Sequence, residues 1–465
     1  MIKLALSKIA EFVNGELVGS DVLVTGSVET DSRLVGAGSL FFAKPGEVTD
    51  GHNFVANAKA SGAVAAVVER LLPEVDLPQI LVNDSVLALG QLAAAVLAQV
   101  RAETGLKVIG VTGSNGKTST KNMLRQVLSR YGQTIAPQES YNNEVGAPIS
   151  ILKIDENTKY LVAELGAGGV GSIEYLAKMT KPDIGVVLKV GLAHVGEFGG
   201  PEVTAQIKAE LVRELDPAAT FIYNFDDGEV AKMTALTEAE KFSFGTSSDA
   251  DLFFDNVHLS IEGTSADFHF PNGETHLVSL QILGEHQLMN AAATLAVSYR
   301  LGIPAVEAIA ALAELPLAER WRMQLFNLSS GVSVINDAYN ASPDSMKAAL
   351  QTLAALGRGS RRTIAILGEM AELGSFSREA HDEIGRLVVR YNIDQLVVVG
   401  EAAKLIHLGA MQEGSWDGES VFFSGGSEAL DYIRGILEPG DIVLVKSSKS
   451  ANLRFLGDDL AEVKS

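Results

Sequence analysis

Cysteine is absent from the 465 residues. Disulfides, thiolate zinc sites and cysteine nucleophiles are therefore excluded, and a reducing compartment fits. Basic residues are scarce: 37 Lys and Arg stand against 58 Asp and Glu, a formal net charge of −21. Such a surface repels nucleic acid and anionic membranes, so neither is expected as a main partner, while a local basic pocket for an anionic substrate stays open. Long apolar runs are missing too. The longest uncharged run, residues 85–100, falls short of the roughly 20 residues that span a bilayer. The opening MIKLALSKIAEF carries Lys8 and Glu11 where a signal peptide needs an unbroken apolar core. A cytoplasmic protein with no membrane insertion is expected. No short repeat and no low-complexity tail occurs.

What is present is a normal globular balance, 47% hydrophobic and 20% charged, over a length that calls for two to four domains. The first hundred residues mix short β-rich runs (SVETDSR, SLFFAKPG, AVAAVVE) with turns, and residues 85–102 read as an apolar helix. Past Glu103-Thr104-Gly105 the pattern changes to apolar strands alternating with helices. KVIGV, YLVAELG, DIGVVLKV and TFIYN are strands, and KTSTKNMLRQVLSRYG is a helix expected to end in a glycine cap. Buried strands separated by helices indicate a parallel sheet covered on both faces. Residues 251–283 alternate around Gly263 and Asn272-Gly273 as appended antiparallel hairpins, and QLMNAAATLAVSYRLG closes the unit as a helix. Residues 304–316 form a short helix and connector. Strand and helix then alternate again through VSVIND, RTIAILG, QLVVVG, SVFFS and DIVLVK, a second α/β sheet of about five strands. The expected domains are 1–104, 105–316 and 317–465.

The richest chemistry lies in VIGVTGSNGKTSTKNML, residues 108–124. It follows a strand and opens a helix, the context of a phosphate loop, in which backbone N–H groups and a helix N-terminus cradle anionic oxygens. Lys117 would reach the β- and γ-phosphates and Thr118 would offer its hydroxyl to Mg²⁺. The strict G-x-x-x-x-G-K-[ST] pattern fails, because Val111 stands where its first glycine belongs. No guanine-reading N-K-x-D motif occurs, which leaves ATP or GTP open. Glu164 ends a strand, where ligands bind in parallel sheets, and its hard oxygens suit Mg²⁺. His194, in GLAHVGEFGG, also follows a strand end. YNNEVGAP, with Asn142 and Asn143, reads alone as turn chemistry. Lys208, on a helix near Glu210 and Glu214, reads alone as a surface lysine. His286 and Asn290 share one helix face, as a cap and core polar pair or as part of a site. NDAYNASPDSM places Asp337, Tyr339, Asn340 and Asp344 after a strand, LGEMAELG puts two glutamates in another strand-end loop, and Arg320 and Arg322 stand just past the connector.

Taken together, the glycine loop, YNNEVGAP, AELGA, AHVGEFGG, the lysine-bearing helix, GEHQLMNAA, DAYNASPDSM, LGEMAELG and VLVKSSKS resemble the Mur ligases of peptidoglycan synthesis over essentially the whole chain. YNNE, DAYNASP and LGEMAELG favour the branch that takes D-alanyl-D-alanine, and the DNPR-type signature of the diaminopimelate-adding branch is absent. The resemblance implies a small mixed α/β domain for the UDP part of the substrate, a central P-loop ATPase domain, and a C-terminal Rossmann-like domain. It implies ATP and two Mg²⁺ ions, with UDP-N-acetylmuramoyl-tripeptide and D-alanyl-D-alanine as substrates; a monomer is expected. In the family the first loop glycine lies one residue earlier, and Gly110 fits that place.

The resemblance also assigns roles. Gly113, Ser114, Asn115, Gly116, Lys117, Thr118 and Ser119 would hold the phosphates. Asn290 would contact adenine, and Arg322 and Asp337 would reach the nucleotide from the third domain. Thr118, Glu164, His194 and Lys208 would serve the metal ions, with Lys208 carbamylated into an anionic ligand. Catalytic roles fall to Lys117, Lys208 and His194. Asn142, Asn143, Tyr339 and Asn340 would meet substrate, and Thr30, Asp31, Ser32 and Arg33 would hold the UDP part together with GEVTDGHNF. Three stretches depart from the family pattern: Leu188-Lys189-Val190-Gly191 for T-N-I-G, Gln287 for the first Asn of H-N-x-x-N, and Lys446-Ser447-Ser448-Lys449-Ser450 for K-G-S-[RK]-S. A sister ligase, including a folylpolyglutamate synthase, would share the chemistry and differ in acceptor. A P-loop switch would hydrolyse nucleotide without a UDP-linked peptide and would have no use for the first and third domains.

Overall fold

The computed structural model describes residues 1–46, 49–137, 141–192, 195–315, 320–358, 361–414 and 419–462. Among them stand three main sheets. The first has five strands in the order Glu16–Val18, Gln79–Leu81, Ala65–Val68, Leu40–Phe42, Val28–Glu29, all parallel except the edge pair Glu16–Val18 with Gln79–Leu81. Its central strands are buried apolar runs, as a sheet covered on both faces requires.

The helix Ser85–Thr104 follows, capped by Asp84, whose carboxylate accepts the N–H groups of Val86 and Leu87, and closed by Gly105 at φ 71°. It runs four residues beyond the uncharged stretch, and its 20 residues pass for a membrane span by length and composition alone. Its apolar residues Leu89, Leu92, Ala93, Val96, Leu97 and Val100 are instead packed into one core shared by the first sheet and the central unit.

The central sheet has nine strands. Gln133–Ile135, Thr158–Glu164, Lys107–Thr112, Ile184–Val187, Thr220–Asn224, Glu240–Gly245 and Leu252–Ser260 run parallel in that order, and Gly263–His269 and Thr275–Leu280 add antiparallel hairpins to the same sheet. The chain crosses to opposite sides of Lys107–Thr112 on its way to Thr158–Glu164 and Ile184–Val187. That switch opens a crevice beyond the carboxyl ends of these strands.

The third sheet runs Gln324–Asn327, Ser333–Asn336, Ile442–Lys446, Thr363–Leu367, Gln395–Val399, Ser420–Phe423. Five strands are parallel, as the sequence indicates. The short antiparallel Gln324–Asn327 is the sixth, and its half-exposed side chains give little apolar signal. Two local expectations fail. The helix Lys117–Leu128 ends at Ser129 without a glycine cap; Gly132 lies farther on, tight against the Lys159 side chain. Gly110 is a mid-strand residue whose missing side chain admits Pro182 and Leu165, so it belongs to strand packing and not to the phosphate cradle.

Candidate active site

The loop between Lys107–Thr112 and the helix Lys117–Leu128 is held open by two glycines. Gly113 has φ 152° and Gly116 φ 87°, and a Cβ on Gly116 would lie 2.4 Å from Asn290 Oδ1. Gly116 caps the helix without a side-chain acceptor, so its first N–H groups remain available to an anion. Lys117 Nζ donates to the Gly113 carbonyl at 2.6 Å, folded back over its own loop. Its pKa is lowered by burial first, with Arg322 adding to the shift and Glu164 opposing it.

Strand register brings the next residues in. Glu164 pairs with Val111 across the sheet, which puts its carboxylate beside the loop. Glu164 Oε1 accepts from Asn142 Nδ2 at 2.8 Å and faces Thr118 Oγ1 at 3.4 Å; Oε2 is buried and has no partner. A buried carboxylate beside a threonine hydroxyl, with one oxygen that no hydrogen bond satisfies, is a fitting place for a hard divalent cation. Among the described residues no three His, Cys, Asp or Glu cluster as a self-sufficient metal cage. A cation here would be held by Glu164 and Thr118 and completed by substrate phosphate oxygens, as Mg²⁺ commonly is.

Lys208, on the helix Pro201–Arg213, is 2% exposed. The surface-lysine reading is thereby overturned. The Lys208 ammonium lies 5.9 Å from the Phe198 ring, and its pKa is driven well down by burial, with the charge of Lys117 adding to the shift and Glu210 opposing it. Helical periodicity hid this, because the acidic neighbour that suggested a solvated face is itself buried.

The third domain closes the crevice. Asp337 follows Ser333–Asn336 and accepts from Lys446 Nζ at 2.5 Å and from the Met323 N–H at 2.9 Å. Arg322 stacks on Tyr339 at 4.3 Å, with Lys449 at 5.3 Å from the same ring. Asp344 crosses to the central unit, taking Lys189 Nζ at 2.9 Å and the Leu192 N–H at 2.9 Å, and Ser342 Oγ bonds Asn115 Oδ1 at 3.2 Å. The cleft is about 480 Å³ and gathers residues 114–119, Asn142, Glu164, Lys208, Asn290, Arg322, Asp337, Tyr339 and Asn340.

Not every expected residue meets there. The structure divides the adjacent asparagines: Asn142 holds Glu164, while Asn143 is exposed and accepts the N–H groups of Val145 and Gly146, the turn chemistry first read for it. Asn290 does line the cleft, from beneath the loop, where Thr120 and Gln287 engage it. Thr30, Asp31, Ser32 and Arg33 lie in the first domain, away from this cleft, with Arg33 exposed and paired to Asp31 at 2.6 Å. His194 lies outside the described residues. Sequence reading passed over Lys189 and Lys446 as functional groups; both stand at strand ends, the one available signal.

Three family models match successive parts of the chain: the Mur ligase family catalytic domain over residues 25–96, the Mur ligase middle domain over 111–298, and the Mur ligase glutamate ligase domain over 321–449. The UDP-N-acetylmuramoyl-tripeptide–D-alanyl-D-alanine ligase of Mycobacterium tuberculosis is 40% identical, over 99% of this chain and 98% of that one. The chain belongs to the Mur ligase family. Its three-domain α/β fold is likewise that of solved relatives. A crystal structure of MurF from Acinetobacter baumannii superposes with a TM-score of 0.90 at 31% identity, over 99% of both chains. MurF ligase from Thermotoga maritima, solved in complex with ADP, gives 0.82 at 28% identity, over 95% of this chain and 99% of that one.

The departures from the family pattern now have physical roles. Lys189 forms the interdomain pair with Asp344. Gln287 accepts from Asn290 Nδ2 at 3.0 Å and so fixes that amide's orientation. Ser447 is fully buried, its Cβ 2.8 Å from where a Cβ on Gly368 would stand, so glycine at 368 gives it room.

Proposed function

We propose that this Mur ligase joins D-alanyl-D-alanine to UDP-N-acetylmuramoyl-tripeptide at the expense of ATP, through an acyl phosphate, in the making of peptidoglycan precursor. The carrying observation is the single cleft that sets Lys117, Thr118, Glu164 and Lys208 of the central domain against Arg322 and Asp337 of the third. Full-length likeness to ligases named for this reaction supports the choice of substrates.

The chemistry follows from charge. A carboxylate is a poor acyl donor, because an oxide would have to leave. Transfer of the γ-phosphoryl group to a carboxylate oxygen, breaking its bond to ADP, turns that oxygen into a good leaving group. The dipeptide amine then forms the C–N bond, the C–O bond to phosphate breaks, and the amine gives up its proton. Two anions must meet for the first step, and Lys117, Arg322 and the bare helix N-terminus supply the opposing charge. Mg²⁺ held by Glu164 and Thr118 would offset phosphate charge. Asp337, fixed by Lys446, faces the nucleotide side, and closure by the third domain excludes water from the activated carboxylate. Tyr339 and Asn340 line the same cleft as substrate contacts.

Lys208 is carbamylated in this reading. Carbamate formation needs a neutral amine, and burial favours that form. The first domain, with residues 30–33, takes the UDP moiety, and the domain limits 1–104, 105–316 and 317–465 follow from this division of labour. A cytoplasmic location suits nucleotide-linked substrates. The test is ADP release with each substrate singly and with both. Release only with both supports the ligase, release with neither substrate points to a nucleotide switch, and turnover with single amino acids or glutamate in place of the dipeptide points to a sister ligase.

A further inference from the structure

The helix Pro201–Arg213 carries two buried charged side chains two residues apart, Lys208 and Glu210. Residues so spaced lie about 200° apart around a helix, so they serve different neighbours. Lys208 faces the cleft. Glu210 turns to the helix Ser172–Thr180, where its Oε1 accepts the Gly171 N–H at 2.7 Å and its Oε2 accepts those of Ile173 at 3.1 Å and Glu174 at 3.0 Å. That helix begins at Gly171, which has no side chain to cap it. A carboxylate from a distant element therefore does the work a local Ser or Asp usually does.

The segment so anchored is residues 166–171, which directly follows Glu164 and Leu165. Four of its six residues are glycine: Gly166, Gly168, Gly169 and Gly171. A Cβ on Gly168, Gly169 or Gly171 would meet nothing within 4 Å, so the middle of the loop has little packing of its own. Gly169 and Gly171 have φ 149° and 88°, and Val170 between them is 77% exposed. At the other end Gly166 donates to the Asn142 carbonyl at 2.8 Å, and Gly166 and Ala167 line the cleft. Within the loop Ser172 Oγ accepts the Gly168 N–H at 3.0 Å and donates to the Gly169 carbonyl at 2.6 Å. A chain so rich in glycine keeps one shape only where its ends are tied.

We propose that Glu210 is a positioning residue for the ligation: it holds the 166–171 loop as a wall of the site on the side of the carboxylate substrate, and sets that wall relative to Lys208 on its own helix. The proposal rests on the ligase reading of the cleft. The hydrogen bonds of Glu210 go to Gly171, Ile173 and Glu174, whereas the nucleotide loop is shaped by Gly113, Gly116 and Asn290.

The test compares Glu210→Gln and Glu210→Asp with the wild-type protein. Gln keeps the shape but turns an NH₂ toward N–H donors; Asp keeps the charge but is too short to serve all three. Steady-state ADP release gives kcat and KM for the UDP-linked tripeptide, binding of a non-hydrolysable ATP analogue is measured directly, and thermal midpoints check folding. Loss of hydrogen bonds to a charged group predicts a roughly ten- to hundred-fold fall in kcat/KM for the peptide substrate, with ATP-analogue affinity within about twofold of wild type and a smaller loss in Glu210→Asp. Wild-type kinetics in both folded variants would overturn the proposal. So would a parallel loss of ATP-analogue affinity and thermal midpoint, which marks a merely structural residue. A wild-type protein that releases no ADP in response to the peptide would instead overturn the ligase reading itself.

Discussion

Replacing Asn142 with alanine removes the 2.8 Å hydrogen bond to Glu164 Oε1 and leaves the carboxylate only the 3.4 Å approach of Thr118. Glu164 is 1% exposed, so water cannot readily take the place of the amide. A hydrogen bond to a charged group contributes roughly 1.5–3 kcal/mol. At about 1.4 kcal/mol per tenfold, that is roughly a ten- to hundred-fold weakening of whatever depends on the carboxylate's orientation. Since Oε2 is the unpartnered oxygen that would face Mg²⁺, the loss is expected in Mg²⁺ use. ADP release titrated with Mg²⁺ should show half-saturation shifted upward by that factor, in a protein that still folds but melts at a lower temperature, since the lost bond is buried. An Asn142→Ala protein with wild-type Mg²⁺ half-saturation and wild-type turnover would refute the assignment of Glu164 as the metal-facing group.

Lys208→Ala should lose ligation, Lys208→Arg should not restore it, and short-chain carboxylic acids should partly rescue the alanine variant; full activity in the arginine variant would show that positive charge suffices and end the carbamate reading. His286 has its pKa lowered to about 4 by burial, with Asp337 opposing the shift and the Lys446 charge adding to it. The unfolded chain therefore takes up this proton first as pH falls, and stability on the order of 3 kcal/mol is lost between about pH 6.5 and pH 4; His286→Gln should flatten that part of a melting-versus-pH curve, and an unchanged slope would count against it. The Lys189–Asp344 pair is partly solvated and should contribute roughly 0–1 kcal/mol to closure. Asp344→Ala also forfeits the Leu192 N–H bond, so small-angle scattering should show it more open than Lys189→Ala, and identical curves for both and wild type would remove the latch.

The phosphate loop was legible because its chemistry is local: glycines, Lys117 and Thr118 adjoin one another between a strand and a helix. The third sheet was legible through its apolar runs, apart from Gln324–Asn327, whose side chains are half-exposed. What escaped depends on contacts distant in sequence. Lys208 looked solvated because its burial is created by elements outside its helix. Glu210 reads as a neighbour on a solvated helix face, yet it accepts N–H groups 36–39 residues away in sequence and so caps another helix. Asn142 and Asn143 are indistinguishable by type, and only the strand ending at Glu164 separates them. Lys189 meets Asp344 across 155 residues, which no local pattern encodes. Gly110 matched the family spacing yet serves Pro182, since spacing cannot tell a glycine that bends the chain from one that lets a neighbour approach.

Transfer of phosphoryl to carboxylate oxygen is the centre of the account, and isotope transfer reads it directly. UDP-N-acetylmuramoyl-tripeptide is labelled with ¹⁸O in both oxygens of the carboxylate to be joined, then turned over with ATP and D-alanyl-D-alanine in unlabelled water. Mass analysis of the released phosphate should find one ¹⁸O per phosphate, carried across when the C–O bond breaks. Unlabelled phosphate, with amide formed, would contradict the acyl phosphate and the role given to this cleft.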